Sequence, residues 1–293
     1  MARSPVPALR SQDLVFTLFG DYLLERAQPV WTGALITLLG QLGLSPMAVR
    51  NVLSRMTRKG WLTADRRGTR SWYGLTARGR KLLESGRRRI YHQATPASWD
   101  GDWSVVVFSI PEDRRRLRAA LRVRLAWLGC GPLASGVWIT PHDVRAEVLE
   151  IAAALRVSRH LEVFRGRHLA HSTAADLVAQ CWDLPALDRR YAGFIARWST
   201  SFDECRACAR GGRGACGPGN DPADCFRRRF LLVHEYRAFP MDDPYLPRPL
   251  LPAGWHGDAA TRLFESYHDL LAAPAERHVA ELCAQGDDFA AAA

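Results

Sequence analysis

Apolar residues recur along the chain with two alternating periods, and their alternation sets an order of elements. Val49, Val52, Leu53 and Met56 fall at i, i+3, i+4 and i+7, which at about 100° per residue gathers them on one face of a helix. Ser45 offers a capping oxygen, Pro46 suits the first helical position, and Gly60 sits where such a helix should end. Upstream, 13–24 and 31–39 read as helices, with Gln41-Leu42-Gly43-Leu44 as the turn into the third. Downstream the pattern turns β-prone: Trp61-Leu62-Thr63 and Ser71-Trp72-Tyr73 flank an Arg-rich turn containing Gly68. Helix, helix, turn, helix and hairpin in that order predict a winged helix-turn-helix. A linker helix over 77–91 should follow.

The same periods organise the rest. A β-rich run over 102–110 precedes an amphipathic helix over 112–128, a short strand near 131–134, Val137-Trp138-Ile139, a helix over 144–155 and a strand over 161–164. That βαββαβ order predicts a ferredoxin-like domain. From 174 onward the chain reads as mainly helical, over 175–182, 187–202, 224–239 and 259–282, with a Pro-rich stretch over 240–252 between the last two. The expectation is an α+β protein of three domains: 1–92, winged helix-turn-helix with its linker helix; 98–172, ferredoxin-like; 173–293, mainly helical. Pro96 marks the first boundary.

Composition narrows the function. At 293 residues and 47% hydrophobic, the chain can build several cores. Its formal charge of +10 is carried almost entirely by arginine, with lysine only at Lys59 and Lys81, and points to an acidic partner. The start, MARSPVPALR, lacks an apolar leader core, and the apolar stretch 30–44 is broken by Thr, Gly and Gln, so no signal peptide or membrane span is expected and the cytoplasm is the default. Seven cysteines, an odd number, argue against a disulfide framework.

The face of the 46–58 helix opposite its apolar stripe carries Asn51, Ser54 and Arg58, flanked by Arg50 and Arg55. Arg pairs bidentately with guanine and Asn with adenine, so this face suits a major groove. Arg66, Arg67 and Arg70 tip the hairpin, where they can reach phosphate or the minor groove. Double-stranded DNA is the expected partner. Cys205, Cys208, Cys216 and Cys225 lie in a Gly-rich stretch and offer thiolates for a structural zinc, although the second pair is atypically spaced, and a reduced loop or a disulfide are the alternatives. His234, Tyr236 and Arg237 form either a structural network or part of an effector pocket. Trp99 and Trp138 read as core or as aromatic pocket walls. No nucleophile elbow, P-loop, zincin or dinucleotide fingerprint occurs, so no enzyme and no required cofactor are expected.

These motifs carry a resemblance. FTLFGDYLL, VRNVLSRMTRKGWL, RRGTRSWYGLT, the run over 99–141, CWDL and the run over 230–257 are similar to the PaaX family, repressors of phenylacetate-type aromatic catabolism. The resemblance implies a homodimer on a palindromic operator, a middle domain for dimerisation and relay, and release by an aryl-acyl-CoA such as phenylacetyl-CoA. Competing readings are a metal-dependent nuclease on the ferredoxin-like domain, a hydrolase in the helical domain, or a DNA-binding protein without effector. The small nuclease of CRISPR adaptation shares the ferredoxin-like fold, but its metal-binding Asp is matched here by Ser109.

Overall fold

The computed structural model describes residues 10–91, 98–211 and 221–291. Pro96 and Cys216 lie outside them. The chain divides into two compact units: Met1–His92, Ile195–Arg237 and Thr261–Ala293 in the first, Gln93–Phe194 and Ala238–Ala260 in the second.

The first unit opens with α1 (Ser11–Leu18), which continues into a π-helical turn over Phe19–Leu23. Next come β1 (Val30–Trp31), α2 (Thr32–Gly40) and α3 (Pro46–Arg58). Two glycine-terminated ends set the α2–α3 geometry. Gly43 (φ 92°) ends the first, with Leu44 N–H bonded to Leu39 O and Gly43 N–H to Gly40 O. Gly60 (φ 70°) repeats the pattern after α3, through Trp61 N–H to Met56 O and Gly60 N–H to Thr57 O. Both satisfy last-turn carbonyls with a residue in the left-handed region, which favours glycine.

Strands β2 (Leu62–Arg67) and β3 (Arg70–Leu75) form an antiparallel hairpin, and β1 pairs with the far side of β3, giving the order β1-β3-β2. Arg67 opposite Arg70 leaves Gly68-Thr69 as a two-residue turn, with Gly68 at φ 58°. Helix α4 (Ala77–Tyr91) follows. The core beneath joins Leu14 and Leu18 of α1, Leu35, Leu38 and Leu39 of α2, and Val49, Leu53 and Met56 of α3, all fully buried. Burial of each such side chain is worth about 1.5–3 kcal/mol.

In the second unit, β4 (Asp102–Phe108), α5 (Arg115–Trp127), β5 (Gly131–Ala134), β6 (Val137–Thr140), α6 (Arg145–Ala154) and β7 (Leu161–Arg167) build an antiparallel sheet of order β5-β6-β4-β7. Side chains alternate across it. Val106, Phe108 and Trp138 join Leu121 and Leu125 of α5 and Val148 and Ala152 of α6 in one core. Trp103 and Ile139 face the other way, against Leu177, Val178 and Cys181 of α7 (Ala174–Cys181).

Helices α8 (Leu184–Arg210), α9 (Pro222–Tyr236), α10 (Phe239–Asp242) and α11 (Gly257–Ala291) complete the chain. They are shared between the units: α9 and most of α11 belong with the N-terminal elements, while α7 and α10 belong with the four-stranded sheet. The protein is therefore α+β. Three local differences from the sequence reading have physical reasons. The single helix expected over 13–24 changes to π geometry at Phe19. The helix expected over 224–239 stops at Tyr236, because Pro240 has no amide for the Tyr236 carbonyl and its ring would clash there. β1, two residues long, takes Trp31, the first residue of the expected second helix, and is too short to show a period.

Candidate nucleic-acid interface

α3 is built to present one face. Ser45 Oγ accepts the Ala48 amide at 3.2 Å, Pro46 opens the helix, and Val49, Val52, Leu53 and Met56 lie at or below 1% exposure. That stripe fixes the helix's rotation about its axis and turns Arg50, Asn51, Ser54, Arg55 and Arg58 outward, all exposed. Arg55 and Arg58 also lie in the last turn, where positive charge complements the helix dipole. None of Arg50, Arg55 and Arg58 is held in an ion pair among the described residues.

The hairpin arginines are less uniform than the sequence suggests. Arg66, Arg67 and Arg70 are all exposed. Arg67, however, pairs with Asp65 at 2.9 Å and lies 5.3 Å above the Trp72 ring. Asp65 and Arg67 share a strand face at i, i+2, a pairing visible in the sequence once the strand is extended to Arg67. Arg66 donates to Gly68 O at 3.3 Å. In α4, Arg78 stacks over Trp61 at 4.0 Å, Arg80 donates to the Leu24 carbonyl, and Arg87 pairs with Glu25. These α4 arginines therefore brace the N-terminal elements internally.

The bracing continues into the C-terminal helices of the same unit. Asp21, in the π turn, pairs with Arg229 of α9 at 3.1 Å, with side chains 5% and 4% exposed. Tyr91 donates to Asp21 at 2.7 Å, and His268 of α11 lies 3.5 Å from Asp21 and 2.8 Å from Arg229. Burial raises the Asp21 carboxyl, but the His268 contact and the Arg229 charge outweigh it and hold the group below its ordinary value. Burial also pushes the Tyr91 hydroxyl up, so it remains a donor. No sequence signal pairs Asp21 with a residue more than two hundred positions away; the π turn that buries it was equally silent.

Of the effector candidates, His234 sits 2.9 Å from Thr17 Oγ1, and burial, with Arg237 nearby, lowers its pKa to about 4. Thr17 donates to Asp13 O, so the His234 Nδ1–H donates to Thr17. Tyr236 bonds Thr261 at 2.8 Å and stacks on Phe264, and Arg237 lies 3.9 Å from Asp13. All three knit the first unit together. Trp99 and Trp138 belong to the second unit, on opposite faces of its sheet: Trp99 against Trp103, Trp138 within the α5–α6 core. The sheet separates these two indoles.

Of the three readings of the cysteine stretch, zinc, reduced loop and disulfide, the described residues favour a disulfide at Cys225. Cys205 and Cys208 lie on α8, not in the tight turn a C-x2-C zinc knuckle uses. Both are free thiols, with Cys205 buried 3.6 Å from Tyr267 Oη, whereas Cys225 is disulfide-bonded. A sulfur in a disulfide has no thiolate to give a metal, and among the described residues no three potential ligands come together. Nor is any described helix long and apolar enough to cross a membrane.

Three family models match in succession: a PaaX-like protein model over residues 10–79, the PaaX protein central Cas2-like domain over 96–178, and the PaaX-like protein C-terminal domain over 182–281. The chain is 32% identical over 271 residues to the transcriptional repressor PaaX of Escherichia coli strain K12, covering 92% of this chain and 82% of that protein. Among solved structures, the uncharacterized protein Rv0674 from Mycobacterium tuberculosis superposes with a TM-score of 0.59 at 24% identity, over 93% of this chain and 99% of the other, a likeness of fold. With an arginine-bearing helix and hairpin at its N-terminus and matches that run in order along nearly its whole length, the chain belongs to the PaaX family.

Proposed function

We propose that this chain is a DNA-binding transcriptional repressor of aromatic-acid breakdown genes, acting as a homodimer and released by an aryl-acyl-CoA such as phenylacetyl-CoA. The observation that carries the DNA half is α3, whose buried stripe turns Arg50, Asn51, Ser54, Arg55 and Arg58 outward beside an arginine-tipped hairpin. We read segment 1–92 as a winged helix-turn-helix, 98–172 as a ferredoxin-like dimerisation and relay module, and 173–293 as the helical C-terminal region. The name of the Escherichia coli relative, transcriptional repressor, supports regulation over catalysis.

In this reading α3 enters the major groove, the hairpin arginines hold phosphate, and two copies engage half-sites about one helical turn apart. An acyl-CoA that favours a dimer with mismatched spacing weakens operator binding, and operator weakens acyl-CoA binding by the same factor. Selection of full-length protein against a random-duplex pool should return a two-fold symmetric sequence. Phenylacetyl-CoA should then lower affinity for it by about 5- to 150-fold, with free phenylacetate and free coenzyme A as controls. Failure to select any duplex refutes the DNA half; unchanged affinity with a panel of aryl-acyl-CoAs refutes the effector half.

A further inference from the structure

A groove between α5 and the β5–β6 hairpin carries chemistry that DNA binding leaves unused. It encloses about 500 Å³, a size typical of small-molecule sites. Its floor is aromatic, with Phe108 of β4 and Trp138 of β6 each 6% exposed. Its rim is cationic, with Arg118 and Arg122 one turn apart on α5. The Arg122 guanidinium lies 5.9 Å from the Trp138 ring centroid, a cation–π contact that sets the fork over the indole. Glu112 accepts one bond from Arg118 Nη2 at 2.6 Å, which orients that fork and leaves its other donors for a ligand.

The opposite lip is the turn between β5 and β6. Gly136, at φ 76°, accepts the Phe108 amide at 2.8 Å, and a Cβ there would meet the Phe108 carbonyl oxygen at 2.4 Å. Only glycine lets the turn come this close to β4, and the neighbouring Ser135 is exposed on the groove. Two planar guanidinium forks above an aromatic floor, with a hydroxyl across from them, match a phosphate ester that carries a flat ring. The forks bind phosphate oxygens bidentately, and the ring stacks on a guanidinium plane.

We propose that this groove binds the nucleotide end of the acyl-CoA effector, its phosphates on Arg118 and Arg122 and its adenine against the Arg122 plane. The assignment rests on the effector half of the proposed function. A free nucleotide shares the same chemistry, so the test must separate the two sources.

Full-length wild type, the double variant Arg118→Ala/Arg122→Ala, and the charge-matched control Arg116→Ala/Arg124→Ala, whose positions fall on another face of α5, are titrated calorimetrically with phenylacetyl-CoA, coenzyme A, ATP and phenylacetate. Arg116, Arg122 and Arg124 are exposed and Arg118 half-buried on the rim, so the variants should fold, which circular dichroism checks. The groove double should weaken phenylacetyl-CoA and coenzyme A at least about tenfold, and the control less than about threefold. Equal weakening by both doubles, or none by the groove double, overturns the groove while leaving the effector reading intact. ATP binding wild type as tightly as phenylacetyl-CoA overturns the effector assignment in favour of nucleotides at large. If wild type binds no coenzyme A compound, the effector reading itself falls, and the groove assignment with it.

Discussion

Replacing Arg229 by Met should be among the most damaging single changes in the first unit, although α9 is not among the elements proposed to touch DNA. The Asp21–Arg229 pair has an N–O separation of 3.1 Å with both side chains at 5% exposure or less. At an effective dielectric of about 20, two unit charges at that distance attract by about 5 kcal/mol. Much of this offsets the cost of stripping both groups of water, so the intact pair contributes far less than its Coulomb energy. Removing one partner is different, because the other charge stays buried without compensation. Such losses run at about 3–5 kcal/mol. Here Tyr91 and His268 remain beside Asp21 and keep the loss toward the lower end. Urea denaturation of the full chain at pH 7, followed by far-ultraviolet circular dichroism, gives the cost for Arg229→Met, Asp21→Asn and the double variant. The double should be less destabilised than the sum of the singles by about 1–3 kcal/mol. Additive losses within about 0.5 kcal/mol, or a loss under about 1 kcal/mol for Arg229→Met, would refute the reasoning.

Asn51→Ala or Arg58→Ala should cost about 1–3 kcal/mol on the selected operator and relax specificity locally, whereas Arg66→Ala should weaken all sequences alike and shallow the salt dependence by about one unit, both read from binding titrations at several salt concentrations. Gly79→Ala should destabilise by about 1–3 kcal/mol despite alanine's better helix propensity, because its Cβ would lie 2.3 Å from the Trp61 carbonyl oxygen; a neutral urea midpoint would count against that close approach. His234, with its folded pKa lowered to about 4 from 6.5, contributes stability that is complete above pH 6.5 and lost as pH falls toward 4. Discounted for partial exposure, this is about 2 kcal/mol, so His234→Gln should flatten the stability profile across that window.

α3 was the most legible element because every local signal agreed: a capping Ser, a Pro at the first position, an unbroken apolar stripe and a terminal Gly. The same agreement made its outward face legible, since a buried stripe determines what lies opposite. α4 was equally plain, its expected and observed bounds coinciding at Ala77–Tyr91. The hairpin strands were found but underestimated, because β2 beyond Leu62 is exposed and polar and shows no burial alternation. The cysteine stretch left several readings open for a specific reason. C-x2-C spacing suits a metal-binding turn, but it is also compatible with a helix, and the helical pattern of α8 runs on through Cys205 and Cys208. The polar network around Asp21 was invisible because its members come from the two ends of the chain, and periodicity reports which face is buried, not what meets it.

That network changes how the N-terminal elements are to be regarded. Thr17 to His234, Asp21 to Arg229 and Gln41 to His278 each join the first two helical stretches to α9 or α11, and in the core Gly286 of α11 lies against Trp31 so closely that a Cβ would meet it at 2.5 Å. The helices that pack behind α3 therefore take their placement partly from the C-terminal part of the chain, within one compact unit. A shift of α9 or α11 must be transmitted to α1 and α2, because buried charges and hydrogen bonds have few alternative partners and packed cores rearrange between discrete states, not smoothly. The consequence is measurable without any ligand. Variants at Arg229 or His278, distant in sequence from every residue proposed to touch DNA, should alter operator affinity even where the fold survives; folded variants that bind operator as tightly as wild type would refute the coupling.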